Sequence, residues 1–317
     1  MRRHLVTGGA GFIGSHLCEA LVEAGDEVVC VDDLSSGSEA NVAHLHASGR
    51  FELVVGDACH VLGDIGGPFD TVAHLACPAS PADYLAHPLE TLAVGSRGTE
   101  AALSLAQSNG ARFVLASTSE VYGDPLVHPQ TEAYWGNVNP IGPRSVYDEA
   151  KRFSEALTAA YRRTLGTNTG IVRIFNTYGP RLRPGDGRVV SNFIVQAIAG
   201  EPLTVYGDGS QTRSLCYVDD LVQGLLAMIR SQIPGPVNLG NPAELAVRDI
   251  ASLVVALAAS SSPISYQPLP EDDPTRRRPD ISKARDVLGW APTVAPEEGL
   301  RRTIQWFAKN RRVAPAG

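Results

Sequence analysis

Glycines at every third position, Gly8, Gly11 and Gly14, stand between an apolar run at residues 4–7 and the start of a helical pattern. This arrangement restricts the fold more than any other feature of the chain. The first glycine permits a tight turn, the second lets the backbone approach a pyrophosphate, and the third lets the helix pack closely on the strand. Free N–H groups at the helix N-terminus then face the phosphates. Glycines alone also suit an ordinary turn, so context decides. A second apolar run, 27–32, ends in Asp32-Asp33, 18 residues after Gly14. An acid there accepts hydrogen bonds from adenosine ribose hydroxyls and repels a 2′-phosphate. The expectation is a dinucleotide site that takes NAD in preference to NADP. A third run, 51–57, closes with Asp57-Ala58, where Asp57 either touches the adenine or caps a helix or turn.

Runs at 71–76, 112–117 and 170–176 continue the alternation of short β-branched segments with helical stretches. Segments that are apolar throughout belong to a parallel sheet covered on both faces. The fold class is therefore α/β: a doubly wound, Rossmann-type parallel sheet with a smaller α/β C-terminal substrate-binding lobe. A chain of 317 residues has room for both. After Asn176 the pattern is broken by Pro180, Pro184, Gly185 and Gly187. The expected division is a dinucleotide-binding domain over 1–176, onto which part of 214–240 packs back, a substrate-binding lobe over 177–312 and a tail at 313–317. Within that lobe the pattern predicts helices over 191–199, 219–230 and 297–311 and a short strand over 236–240.

A net charge of −7 offers no positive field for a nucleic-acid backbone or an anionic lipid surface. No run approaches the roughly 18 apolar residues of a membrane span. Neither nucleic acid nor membrane is expected as a partner, and a cytoplasmic location is. The five cysteines are widely spread and form no C-x-x-C pair; His44 and His46 sit at a spacing that turns their rings apart on a helix. Neither a disulfide framework nor a metal is expected.

The chemistry lies further along. Tyr147 and Lys151 stand one helical turn apart on one face. A phenol with an ordinary pKa near 10 is a poor base, but a neighbouring ammonium stabilises its phenolate. Such a pair takes a proton from a sugar hydroxyl as hydride leaves the same carbon for a nicotinamide. The spacing alone also fits a solvated helix face. Its partner is Ser117-Thr118-Ser119-Glu120, at the end of the fifth strand and so at the carboxyl edge shared with the cofactor.

With these motifs in place, the sequence resembles the extended short-chain dehydrogenase/reductase family of nucleotide-sugar enzymes, and within it the UDP-glucuronate decarboxylases, or UDP-xylose synthases. The resemblance runs nearly end to end, through the blocks at 74–80, 117–123, 134–144, 173–180, 186–193, 206–213 and 277–281. It implies a tightly held NAD and a cycle of C4 oxidation, loss of carbon dioxide and re-reduction, carried by Tyr147, Lys151, Thr118, Ser119, Glu120 and Arg277. It implies that Gly8, Gly11, Phe12, Ile13, Gly14, Asp32, Asp33, Ser36, Gly37, Asp57, Ala58, Leu75, Ala76, Thr91, Tyr147, Lys151 and Arg188 surround the cofactor. It places Ala79, Tyr84, Arg144, Asn176, Val190, Asn192, Tyr206, Gln211 and Arg213 around a UDP-sugar. It also implies a homodimer built on helices near 91–108 and 147–164, although their apolar faces could instead only cover the sheet.

Position 119 bears on the reaction. Sister dehydratases, which eliminate water from C6, carry Asp before the Glu as an acid for the leaving hydroxyl; this chain has Ser119. A 4-epimerase or a 4,6-dehydratase remains the alternative reading. Two further departures are Gly95, where relatives commonly have the Asn of the tyrosine–lysine relay, and Glu90, where many have Lys. A water in place of the missing amide is expected at Gly95.

Overall fold

In the computed structural model, which describes residues 1–269 and 276–311, thirteen strands and eleven α-helices are found among the described residues. The strands are β1 (Arg3–Thr7), β2 (Glu27–Asp32), β3 (Phe51–Val55), β4 (Thr71–His74), β5 (Arg112–Thr118), β6 (Thr169–Ile174), β7 (Thr177–Tyr178), β8 (Leu203–Tyr206), β9 (Thr212–Ser214), β10 (Cys216–Tyr217), β11 (Val237–Leu239), β12 (Glu244–Ala246) and β13 (Ile264–Gln267). The helices are α1 (Phe12–Glu23), α2 (Ala58–Val61), α3 (Pro81–Ala86), α4 (Pro88–Ala93), α5 (Thr99–Asn109), α6 (Ser145–Leu165), α7 (Val189–Ala199), α8 (Val218–Arg230), α9 (Val247–Leu257), α10 (Ser282–Leu288) and α11 (Pro296–Arg311). The expected tail at 313–317, together with Arg312, lies outside the described residues.

Seven strands form one sheet in the order β11-β6-β5-β4-β1-β2-β3, every pair parallel. Alternate residues sort onto its two faces, as the pleat requires. Val6, Val28, Cys30, Ala73, Val114 and Val172 meet Leu17 and Leu21 of α1 and Leu221 and Leu225 of α8. Leu5, Val29, Val31, Val72, Phe113 and Leu115 meet Ala102, Leu103 and Ala106 of α5. The first of these cores continues without a break into Phe193 and Ile194 of α7 and Ile250 and Val254 of α9.

The order reverses between β1 and β4. Open parallel sheets bind ligands in the crevice outside the carboxyl ends of their strands at such a switch point. Here the third strand is shorter than its apolar run: it ends at Val55, and Asp57 caps α2 by accepting from the Cys59 N–H at 2.8 Å. The three-residue β11 pairs with β6 inside the main sheet. The smaller pairings β7–β10, β8–β13 and β9–β12 lie outside it.

Candidate active site

Over the switch point lies a cavity of about 740 Å³. Its floor is the glycine turn. Gly8 has φ +69°, and a Cβ added there would lie 2.7 Å from the Ala76 nitrogen; at Gly14 an added Cβ would lie 2.0 Å from the Gly8 carbonyl oxygen. Only glycine fits either place, and the backbone that results is open to a diphosphate, which is the fit NAD requires. Asp32 accepts from the N–H groups of Ala10 and Leu34, both at 2.9 Å. Burial pushes this carboxyl above its ordinary value, although those same bonds pull it down. Its remaining lone pairs are available to a ribose. We expect NAD to bind at least ten-fold more tightly than NADP, about 1.4 kcal/mol, and isothermal titration with the two cofactors checks it.

The reacting end is assembled by β5 and α6. A 3-10 turn, Ser119–Tyr122, follows β5 directly, with the Thr118 hydroxyl accepting from the Glu120 N–H. The helix is tied to the strand twice: Ser117 donates to Glu155 at 2.6 Å, and the Lys151 ammonium donates to the Ala116 carbonyl at 2.9 Å. Tyr147, 6% exposed, stacks on Tyr84 with ring centroids 5.3 Å apart and 5° between planes.

The electrostatics differ from the simple expectation of a depressed phenol. Burial pushes Tyr147 well above its ordinary range and the Cys77 thiol adds to this, while a hydrogen bond with Thr118 and the Arg188 charge oppose it. Lys151 sits 6.0 Å from the phenol ring and is turned to the backbone. Glu120 is the reverse case. Burial would raise it, but the guanidinium charges of Arg277 and then Arg144 hold it down to about 2. Arg277 grips both of its oxygens and Arg144 donates to Oε2 at 2.8 Å. Beside them Asp148 is pushed up to about 7 by burial and by the Glu120 charge.

Gly95 has a physical reason. A Cβ there would lie 2.6 Å from the Ala150 Cβ, so the glycine lets its segment lie directly on α6 one residue from Lys151. The Ser154 hydroxyl donates to the Gly95 carbonyl at 2.6 Å, and the Ala116 carbonyl holds the ammonium. Lys151 thus has a backbone partner beside the segment that Gly95 brings onto α6. Gly95→Asn should cost about 2 kcal/mol through overpacking, and Ala150→Gly in the same chain should recover about half. Thermal unfolding of the wild type and the two variants measures both.

Of the residues expected around the cofactor, Gly8, Gly11, Phe12, Ile13, Gly14, Asp32, Asp33, Ser36, Gly37, Asp57, Ala58, Leu75, Ala76, Tyr147, Lys151 and Arg188 line the cavity. Thr91 does not: it is fully buried and its hydroxyl donates to the His87 carbonyl. Thr118, Ser119, Glu120, Ala79 and Asn176 also line it. Tyr84, Arg144 and Arg277 stand behind that wall, in contact with Tyr147 or Glu120. Val190, Asn192, Tyr206, Gln211 and Arg213 are not on the wall. Val190 is buried in the core, the Asn192 amide donates to the Gly187 carbonyl, Gln211 donates to the Tyr206 carbonyl, and Arg213 Nη1 donates to the Thr212 carbonyl. The cavity also takes in Asp83, paired with Arg183, and Asp186, paired with Arg188. A ligand that reaches the 183–188 segment therefore meets charged side chains from both halves of the chain.

Residues 4–240 match the family model described as "NAD dependent epimerase/dehydratase family". The chain belongs to this family. It is 52% identical to a UDP-glucuronic acid decarboxylase 1 of Danio rerio over 98% of this chain and 73% of that one. An epimerase from Methanothermobacter thermautotrophicus superposes with a TM-score of 0.91 at 34% identity, covering 98% of this chain and 94% of that one. A UDP-glucuronic acid 4-epimerase from Bacillus cereus, solved with UDP-glucuronic acid and NAD, has a TM-score of 0.86 at 29% identity, covering 97% and 99%.

Proposed function

We propose that this enzyme converts UDP-glucuronate to UDP-xylose and carbon dioxide with a retained NAD. Membership of an NAD dependent family and 52% identity to a UDP-glucuronic acid decarboxylase support the reading. The observation that carries it is the cluster at the end of β5. Two guanidiniums, Arg277 and Arg144, converge on the single carboxylate of Glu120, beside a hydroxyl at Ser119. With Asp148 beside them pushed up to about 7, the positive charge exceeds the negative, which suits a sugar that carries its own carboxylate. No second acid precedes Glu120 to protonate a leaving hydroxyl, and decarboxylation needs none.

NAD supplies the acceptor that takes the C4 hydride and returns it after carbon dioxide has left. Tyr147 must first lose its own proton, which burial opposes and the Thr118 hydrogen bond, the Arg188 charge and the positive nicotinamide of bound NAD would favour. As phenolate it accepts the C4 hydroxyl proton and later gives it back, with Thr118 holding that oxygen and Lys151 fixing the helix. Oxidation at C4 leaves a ketone β to the C6 carboxylate. The C5–C6 bond then breaks, its electron pair delocalises as an enolate over C5, C4 and the ketone oxygen, and C5 takes up a proton. A guanidinium is too weak an acid to give that proton itself. We assign Glu120, which lines the cavity, to hold a proton-donating water at C5, and Arg277 to fix Glu120 and favour the enolate by its charge. The 1–176 domain with β11 holds NAD, and the 177–312 lobe contributes the UDP contacts, Arg213, Tyr206, Gln211 and Asn192 among them.

Incubating purified protein with UDP-glucuronate should release one carbon dioxide per UDP-xylose, with no build-up of free NADH. UDP-galacturonate without carbon dioxide would mark a 4-epimerase instead and overturn the assignment.

A homodimer is part of the proposal. Leu85 of α3, Leu89 and Leu92 of α4 and Phe153 of α6 are all exposed and would be covered by a second copy. A cytoplasmic location is proposed too. Five free thiols support a reducing compartment, and no helix among the described residues is long and apolar enough to cross a membrane.

A further inference from the structure

Arg277 reaches Glu120 from a segment, 276–280, that has no regular secondary structure. A long cation on such a segment holds a geometry only if its backbone is held, and here one fully buried residue from a distant loop does so. Gln130 is 0% exposed and lies where a single bridge pairs it with Pro279. Its N–H donates to the Arg278 carbonyl at 2.9 Å, and its carbonyl accepts from the Asp280 N–H at 2.9 Å. Its side-chain oxygen accepts from the Arg278 N–H at 2.8 Å, and its amide nitrogen donates to the Val127 carbonyl at 2.9 Å. The Arg277 backbone is thus braced on its C-terminal side by three bonds to one residue.

The brace continues to the other end of the ion pair. Asn238 of β11 donates to the carbonyls of Gln130 and Asp280 at 3.0 and 3.1 Å, and its side-chain oxygen accepts from the Tyr122 hydroxyl at 2.8 Å. Tyr122 belongs to the same short turn as Glu120. A closed ring results, running Arg277, Glu120, Tyr122, Asn238, Gln130 and Arg278, in which each link fixes the next. The neighbouring His128 pairs with Glu244 of β12 at 3.1 Å, and Glu244 also accepts from Thr212, next to Arg213.

We infer that Gln130 is a positioning residue for the reaction: it sets the Arg277 guanidinium against Glu120, and Asn238 locks both to the sheet. This rests on the role proposed above for Arg277. It adds that the geometry of the pair is held by a residue that touches neither substrate nor cofactor. An amide suits this place, because a buried polar group must find partners and Gln130 presents one donor and one acceptor to two backbones at once.

The test uses the NAD-loaded enzyme and Gln130→Met, which keeps length and volume and removes both side-chain bonds. Hydrogen–deuterium exchange should show faster exchange across 276–281 and unchanged exchange in the β1–α1 segment. Turnover should fall about ten-fold with KM within two-fold and NAD affinity unchanged. In an Arg277→Ala background the same substitution should cause no further loss, because coupled residues are not additive. Full additivity, or wild-type exchange across 276–281, would overturn the inference. Should Gln130→Met fail to fold, the wild-type enzyme answers: the amides of Gln130, Arg278 and Asp280 should open together, and much faster exchange at Arg278 and Asp280 would sink it. If the wild type releases no carbon dioxide from UDP-glucuronate, the proposed reaction falls, while the exchange measurement still decides the brace.

Discussion

Glu120→Gln is expected to keep NAD binding and to lower turnover about 10³-fold. The substitution changes almost no volume, so its effect is electrical. Arg277, 4% exposed, and Arg144 converge on this one carboxylate. Without its charge the two guanidiniums keep only Asp148 as a counter-charge, which ionises more readily once the Glu120 charge is gone, and the loss costs about 3 kcal/mol of stability. The two effects separate by measurement: cofactor titration for binding, steady-state kinetics for turnover and chemical denaturation for stability. Wild-type turnover in the variant removes Glu120 from the reaction. The pH dependence has a definite sign. Glu120 is held down to about 2 in the folded protein, below the ordinary carboxylate value, so its ion pair stabilises the fold above that ordinary value. The contribution is lost as pH falls from there through about 2. In Glu120→Gln this acid-side loss should shrink.

Tyr147→Phe should lower turnover about 10³- to 10⁴-fold while changing stability by no more than about 1 kcal/mol. The ring stays stacked on Tyr84, and only the hydroxyl and its bond with Thr118 are lost. In single-turnover absorbance this variant should show no transient NADH, because its block falls at C4 oxidation. Glu120→Gln differs if its defect lies after that step, since reduced cofactor would then accumulate. A normal transient in Tyr147→Phe would show that another base takes the C4 proton.

The sheet is written in the sequence because each strand buried on both faces reads as an apolar run. β1 to β6 all fall within two residues of the runs that mark them. The third run overshoots because Gly56 and Asp57 look like its continuation, whereas Asp57 turns to cap α2. Residues 236–240 read as a strand, which the fold trims to β11 at 237–239, but nothing in so short a run says that its neighbour is β6. The same division holds in the site. The glycine turn and Asp32 are legible since they act through local backbone geometry, and Tyr147 and Lys151 through helical spacing. The grip of Arg277 on Glu120 joins residues 157 apart, and its chemistry came from resemblance rather than spacing. Gln130 gave no signal. It is a polar residue in an irregular loop, and only the folded chain shows that it is fully buried.

The placement of β11 has a consequence for inheritance. The strand that completes the main sheet arrives only after the chain has left it and built α7 and α8. A gene cut after residue 176 would encode a sheet whose β6 has one open edge, and open parallel edges invite association. The remaining half, for its part, would carry an orphan strand. The two halves therefore cannot be traded between relatives as cassettes at that point. Changes of sugar specificity in a chain wired this way must come by substitution within loops, and a recombinant joined after 176 should be soluble only when β11 and β6 derive from compatible parents.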